Sequence, residues 1–229
     1  MPYRKIADVF FDLDHTLWDF DRNSGLAFQR VFRRHKIDLP LHDFLREYEP
    51  INLIYWKKYR DDQVSKEELR RGRLTETFDI FNLKFPLKKI DALAGCYIEE
   101  LPLNNHLFSG AVEILEYLSA LYNLHIITNG FEEVQYLKLK NSGIQKYFAT
   151  VTTSEEVGLK KPHPTVFQTA LSKASALPAN SIMIGDSFEA DIMGAQNTGM
   201  HTLFFNYRNE KVSALTATVR ELSEIKNYL

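Results

Sequence analysis

The chain has 229 residues, 45% hydrophobic and 25% charged, an ordinary globular composition that sets aside disordered and fibrous classes. Lys plus Arg number 28 against 30 Asp plus Glu, and the formal net charge of −2 gives no overall attraction to a nucleic acid polymer or an anionic membrane. The lone cysteine, Cys96, leaves no internal disulfide, which fits a reducing compartment. The start MPYRKIADVFFD turns acidic before any stretch of signal-peptide length, and no run reaches the ~18 apolar residues of a membrane span, so a cytoplasmic location is the expectation.

The apolar run Val9-Phe10-Phe11 predicts a buried strand of a parallel sheet, and it leads into Asp12 and Asp14, with Thr16 beyond. Ligand chemistry in such sheets collects past the carboxyl ends of strands. Two aspartates there, with no Lys or Arg close by in sequence, repel each other unless a cation or a shared proton separates them. A divalent ion with oxygen ligands, Mg²⁺ foremost, suits the pair. The plainer alternative is an Asp-rich turn.

Residues 24–35 then place Ala27, Phe28, Val31 and Phe32 on one helical face. A second helical pattern covers residues 41–59, and Pro50 is expected to kink or divide it. Ser65 and Glu68 have the spacing of a capping box and open a third helix, where Arg70, Arg71 and Arg73 gather. A fourth runs over residues 87–101. Nothing in residues 22–101 reads as a strand.

From Phe108 the pattern alternates. A helix over 111–122 leads to a strand over 124–128 ended by Asn129-Gly130, and a helix from Glu132 stops near Gly143. A strand over 149–153, a helix over 164–176 begun by Pro164, and a strand over 181–184 closed by Gly185-Asp186 follow. A helix over 189–197, a strand over 201–205 and a short closing helix over 219–229, with Leu222, Ile225 and Leu229 inward, complete the chain. This alternation predicts an α/β fold with a parallel sheet, its first strand split from the rest by a helical insertion.

Parallel strands end on one edge, so Asp12, Asp14, Thr128 and Asp186 are expected to converge there, with Lys161 from a neighbouring loop and Asp191 nearby. Taken singly, each has a bland alternative. Thr128-Asn129-Gly130 can be a simple turn, Lys161 a solvated surface residue, and Asp191 a helix-dipole partner. Together the carboxylates, ammonium, hydroxyl and amides describe a site for a metal ion and a phosphoryl group. His163 reads as a helix-start residue and Cys96 as a small core residue.

The segments DLDHT, ITNG, KKP and GDSFEAD resemble, in order, the four motifs of the haloacid dehalogenase superfamily. The resemblance implies a Rossmann-like parallel-sheet core over residues 1–18 and 104–229, and a helical cap over 19–103 that sets substrate specificity. It implies phosphoryl transfer, because the superfamily's dehalogenases lack the second aspartate present here as Asp14, whereas its phosphatases and phosphomutases have it. Asp12 is then the nucleophile and Asp14 the acid and base. Thr128, Asn129 and Lys161 attend the phosphate, and Thr16 braces the loop. Asp12, Asp186 and the Asp14 carbonyl hold Mg²⁺, with Asp191 outside them.

The cap resembles that of bacterial pyrimidine 5′-nucleotidases in the Trp-Asp-Phe-Asp run at 18–21, Asn52 and Trp56, the Gly72-Arg73 step, ITNGF and SEEVG. That implies a small phosphomonoester substrate, of nucleoside 5′-monophosphate type, and a monomer or weak homodimer. Core packing for Trp56 and a surface salt bridge for Arg73 stay open. So do a sugar-phosphate or acyl-sugar phosphatase and a β-phosphoglucomutase-like phosphotransferase. A regulatory module with a dead site is disfavoured, because its usual mark is loss of Asp12, Asp14 or Lys161.

Overall fold

The computed structural model describes residues 6–212 and 216–229. The first residues of the segment read for a leader lie outside that range. In chain order the elements are β1 (Asp8–Phe11), α1 (Phe20–His35), α2 (Leu41–Arg60), α3 (Lys66–Ile80), α4 (Leu87–Glu100), α5 (Ala111–Ser119), β2 (Asn123–Thr128), α6 (Glu132–Asn141), β3 (Phe148–Thr153), α7 (Ser154–Val157), α8 (Pro164–Ala174), β4 (Ser181–Gly185), β5 (His201–Phe205) and β6 (Thr218–Val219). The chain divides into two compact units, Met1–Phe20 with Asn105–Leu229, and Asp21–Asn104.

The first unit is a six-stranded sheet in the order β3-β2-β1-β4-β5-β6, every pairing parallel. β1 lies between β2 and β4, with Phe11 opposite Ile126 on one side and Ile184 on the other. That register brings the residues that follow β1, β2 and β4 to one edge. Strand side chains alternate between faces. Phe10 joins Ile127, Val166, Phe167, Ala170 and Met183 in a fully buried cluster, each large member stabilising by roughly 1.5–3 kcal/mol. No helix of the described residues is long and apolar enough to cross a membrane.

A polar ladder crosses the same sheet near its amino end. His125 contacts Thr150 Oγ1 through Nδ1 at 2.9 Å and Asp8 Oδ1 through Nε2 at 3.3 Å, and its ring stacks on Phe10. Burial holds the imidazole below its ordinary pKa, and the Asp8 carboxylate only partly offsets that. A lowered folded-state value means that the unfolded chain binds the proton more readily, so this contribution to stability is intact above about pH 6.5 and shrinks as pH falls below it. The melting-temperature gap between wild type and His125→Gln should therefore narrow between about pH 7 and pH 5. A constant gap across that window would remove His125 as its source.

The second unit is all helical. Ser65 caps α3 with a complete capping box, its Oγ accepting from the Glu68 amide at 3.1 Å while the Ser65 amide donates to Glu68 Oε2 at 2.7 Å. Aromatic rings from all four helices fill the centre, with Phe28 stacked on Tyr97 at 4.3 Å and Phe44 beside Phe78 at 5.1 Å. A side chain at Gly72 would run into the Tyr55 ring, so this glycine permits the close approach of α3 to α2.

Two expectations change and one narrows. Of the kink or break expected at Pro50, the break does not form: α2 is continuous from Leu41 to Arg60. Pro50 and Arg46 are both exposed, so water can satisfy the carbonyl that the proline leaves without a donor. The helix expected over 189–197 is a π-helix, Phe188–Met193, followed by one α turn at Gly194–Gln196. The tail is not one helix either. Thr218 and Val219 extend the sheet beside Phe204 and Phe205, and a 3₁₀ segment, Leu222–Asn227, follows with Leu222, Ile225 and Leu229 buried as expected.

Candidate active site

The carboxyl edge of the sheet collects Asp12, Thr128 and Asp186, each at or just past the end of a central strand. The Asp12 amide donates to Ile184 O at 2.9 Å, which ties the nucleophile candidate to β4. Lys161 arrives from the segment between α7 and α8. It is 2% exposed, and its ammonium lies 2.6 Å from Asp12 Oδ1, 2.7 Å from Asp191 Oδ1 and 2.7 Å from Ile127 O. The contacts to Asp12 and Ile127 are hydrogen bonds, whereas Asp191 Oδ1 meets the ammonium as an ion pair without hydrogen-bond geometry. Asp12 Oδ2 has no hydrogen-bond partner among the described residues.

Asn129 does not offer its side chain to this space. Its Oδ1 accepts from the Lys161 amide at 2.8 Å and its Nδ2 donates to Lys161 O at 3.0 Å, clamping the lysine's backbone. Thr128 Oγ1 accepts from the Gly130 amide at 3.1 Å and from Gln135 Nε2 at 2.6 Å. Two incoming donors leave the hydroxyl proton to be given to a ligand oxygen. This contact occupies the Gly130 amide.

Asp12, Asp186 and Asp191 can each turn one oxygen to within 4.8 Å of the others. Burial raises Asp12 to about 7 against the pull of Lys161, with Asp191 and Asp14 adding repulsion. Burial also pushes Asp186 well above the usual carboxylate range, helped by Asp12 and Asp191. Burial would lower Lys161, yet Asp12 and Asp191 outweigh it and hold the ammonium raised. Oxygen donors with this surplus of negative charge fit a hard divalent cation such as Mg²⁺. Asp191 is the least available of the three, since its Oδ2 takes the Ser187 amide at 3.0 Å and its Oδ1 faces Lys161. The π-helix aims it there, and a side chain at Gly185 would collide with it.

The sequence suggested that Asp14 had no cation nearby. Lys138, distant in sequence, supplies one: its Nζ lies 2.6 Å and 2.9 Å from the two Asp14 oxygens, and Gln135 Nε2 donates to Asp14 Oδ2 at 3.1 Å. Neither residue was foreseen. The one available signal was their spacing of three on α6, which puts a Gln and a Lys on one face. Also unforeseen is Arg208, 3.6 Å from Asp186 Oδ2 and 3.1 Å from His15 Nδ1. Thr16 is fully buried, with its hydroxyl 3.5 Å from Asp186 Oδ1, at the limit of a hydrogen bond. His163 starts α8, its Nδ1 accepting from the Thr165 amide.

Asn52, Trp56 and Arg73 belong to the helical unit. Arg73 is 2% exposed, lies against the Tyr48 and Tyr97 rings, and donates to Asn52 Oδ1 at 2.7 Å. It has no carboxylate partner among the described residues, and its Nε is buried without an acceptor. The surface salt bridge left open for Arg73 is therefore not what forms, because the side chain turns into the aromatic centre. Trp56 is half-buried and sets its ring edge-on to Tyr59 at 5.8 Å.

A family model, haloacid dehalogenase-like hydrolase, matches residues 9–205. The chain is 32% identical to the pyrimidine 5′-nucleotidase YjjG of Escherichia coli (strain K12), over 96% of each chain. It is 31% identical to the pyrimidine 5′-nucleotidase PynA of Streptococcus pneumoniae, over 86% of this chain and 83% of that one. The crystal structure of the HAD-hydrolase YfnB of Bacillus subtilis, solved bound to magnesium, superposes with a TM-score of 0.90 at 26% identity over 99% of both chains. With a family model spanning most of its length and a relative this similar across nearly all of it, the chain belongs to the haloacid dehalogenase-like hydrolases.

Proposed function

We propose that the protein is a Mg²⁺-dependent phosphomonoesterase that works through an aspartyl-phosphate on Asp12, with pyrimidine nucleoside 5′-monophosphates as substrates. The observation that carries this reading is the pairing of Asp12, held at one oxygen by Lys161, with Asp14 two residues on. A dehalogenase has no use for a second carboxyl at that position.

Asp12 Oδ2 attacks phosphorus; the Asp12–phosphorus bond forms as the ester bond breaks, and Asp14 gives its proton to the leaving oxygen. Asp14 then takes a proton from the water that attacks the intermediate, which releases phosphate and frees Asp12. Thr128 donates its hydroxyl proton to a phosphoryl oxygen, and Lys161 lowers the charge that a dianion meets at Asp12. Asp12, Asp186 and the Asp14 carbonyl would hold Mg²⁺, with Asp191 outside them, and the bound ion offsets repulsion between carboxylate and phosphate.

For the base, the helical unit presents donors. Arginine cannot accept, so the Asn52 atom facing Arg73 is its carbonyl oxygen, and its amide donors are turned elsewhere with no partner among the described residues. Donors of this kind suit the carbonyl oxygens that every pyrimidine carries, and Trp56 offers a stacking face. The names of the two nucleotidase relatives support the same class.

The test is phosphate release over nucleotides, sugar phosphates and glycerol phosphate, with Mg²⁺ and with chelator. Pyrimidine 5′-monophosphates should lead, and chelation should abolish turnover. Stacking on an aromatic side chain is worth ~1–3 kcal/mol, so Trp56→Ala should lower kcat/KM for these nucleotides by roughly 5- to 150-fold. Activity on glycerol phosphate should fall far less. Equal losses on both would reduce Trp56 to a packing residue.

A further inference from the structure

A carboxyl that must protonate a leaving oxygen and later deprotonate a water has to be held in one orientation, because small misplacements in such steps are costly to rate. We propose that Lys138 is the positioning residue that aims Asp14, and that Gln135 couples the same carboxyl to the phosphoryl anchor Thr128. This role rests on the phosphatase reading above.

Four observations converge on it. Lys138 Nζ takes both Asp14 oxygens, at 2.6 and 2.9 Å, which fixes the carboxyl's position and its rotation together. Lys138 and Gln135 are the partners Asp14 has among the described residues. The pair is lopsided in exposure: the Lys138 side chain is 2% exposed and that of Asp14 is 21%. The ammonium thus sits behind the carboxyl and leaves its outward side open to a substrate. Burying an ammonium costs several kcal/mol unless it is paired, and an apolar residue would fill this place on α6 without that cost.

The surroundings hold the clamp itself still. The Lys138 ammonium lies 4.3 Å from the centre of the Trp18 ring and 5.3 Å from that of Phe20, two residues of the run that the sequence assigned to the cap's resemblance. Gln135 Nε2 reaches Asp14 Oδ2 at 3.1 Å and Thr128 Oγ1 at 2.6 Å, so one amide group spaces the acid from the phosphoryl-binding hydroxyl. A side chain at Gly130 would overlap the Gln135 amide, which makes the glycine the room in which this amide sits. When Asp14 carries its proton, Lys138 holds the unprotonated oxygen and the protonated one faces the leaving group: the Asp14 O–H bond breaks as the leaving group's O–H bond forms, both oxygens then return to the ammonium, and Lys138 keeps its own protons.

The test is the dependence of kcat/KM on the leaving group, in the full chain with saturating Mg²⁺. A p-nitrophenolate departs with little help from an acid, whereas the alkoxide of glycerol phosphate needs it. Lys138→Met should lower kcat/KM for glycerol phosphate by ~100-fold or more, and for p-nitrophenyl phosphate by less than ~10-fold. Hydrolysis of the phosphoenzyme, in which water attacks phosphorus and the bond to Asp12 breaks, also needs Asp14, so a burst of p-nitrophenolate should appear. Lys138→Arg keeps the charge and should fall between wild type and the Met variant, with the same order of losses. It also carries the test if the Met variant does not fold. Equal losses on both esters, or none on either, would leave Lys138 as a structural ion pair and overturn the proposal. If the wild type releases phosphate from no monoester, the phosphatase reading fails and this role fails with it.

Discussion

Asp12→Asn should yield a folded protein whose turnover, on any phosphomonoester, lies below about one per cent of wild type. The amide can still accept from Lys161 where Asp12 Oδ1 now does at 2.6 Å, but its nitrogen cannot form the acyl-phosphate bond. Burial already works against the charge at this position, having raised the carboxyl to about 7, so a neutral amide should not unfold the chain. A melting temperature within a few degrees of wild type, which for a chain of this size is about 1–2 kcal/mol, would establish that the loss is chemical. Label from a phosphate-labelled substrate should be trapped on wild type after rapid quenching and be absent from the variant. Residual turnover above that level in freshly prepared protein, beyond what deamidation supplies, would remove the covalent step.

Asp12, Thr128 and Asp186 were legible as a group because each follows an apolar strand run, and parallel strands deliver such residues to one edge without further information. Lys161 was legible only through the resemblance of its segment; nothing in GLKKPHP says that its ammonium is buried between two carboxylates. Lys138 and Gln135 offered no more than their spacing of three on α6, which does not by itself mark a site. α6 carries Glu132, Glu133, Lys138 and Lys140, and the pattern reads as a solvated helix until the sheet brings Asp14 against one of those lysines. What decides the fate of Lys138 is a contact across 124 positions, which no local periodicity reports.

The helical unit shows the same limit in another form. Its capping box and its aromatic faces followed from spacing, since Ser65, Glu68 and the apolar stripes act within a few residues. Arg73 did not, because three arginines within four positions look alike in sequence. Arg71 pairs with Asp91 and Glu67 on the surface, while Arg73, two residues on, points to the opposite side of α3 and is buried. The closing segment failed for a related reason: Thr218 and Val219 have the β-branched character of a strand, and the neighbouring β5 gives them a partner that outweighs the helical spacing beyond.

Lys161→Met should be the most destabilising single change in the site. Met fills most of the same volume, but it removes the ammonium that faces both Asp12 and Asp191, and it leaves Ile127 O without its 2.7 Å donor. Removing one partner of a buried ion pair costs ~3–5 kcal/mol, since the stranded charge stays desolvated. At this chain length that corresponds to a fall in melting temperature on the order of 10 °C, read without Mg²⁺. Phosphatase turnover, measured with Mg²⁺, should fall ~100- to 1,000-fold through loss of charge stabilisation at the phosphoryl group. The cause can be separated from lost packing by a double-mutant cycle. Adding Asp191→Asn to Lys161→Met removes one of the stranded carboxylates and should return part of the lost stability, a coupling of ~0.5–3 kcal/mol. If the double variant is as unstable as the two single changes added together, the ammonium is not there to balance these carboxylates. The cost would then lie in the Ile127 carbonyl and the shape of the pocket.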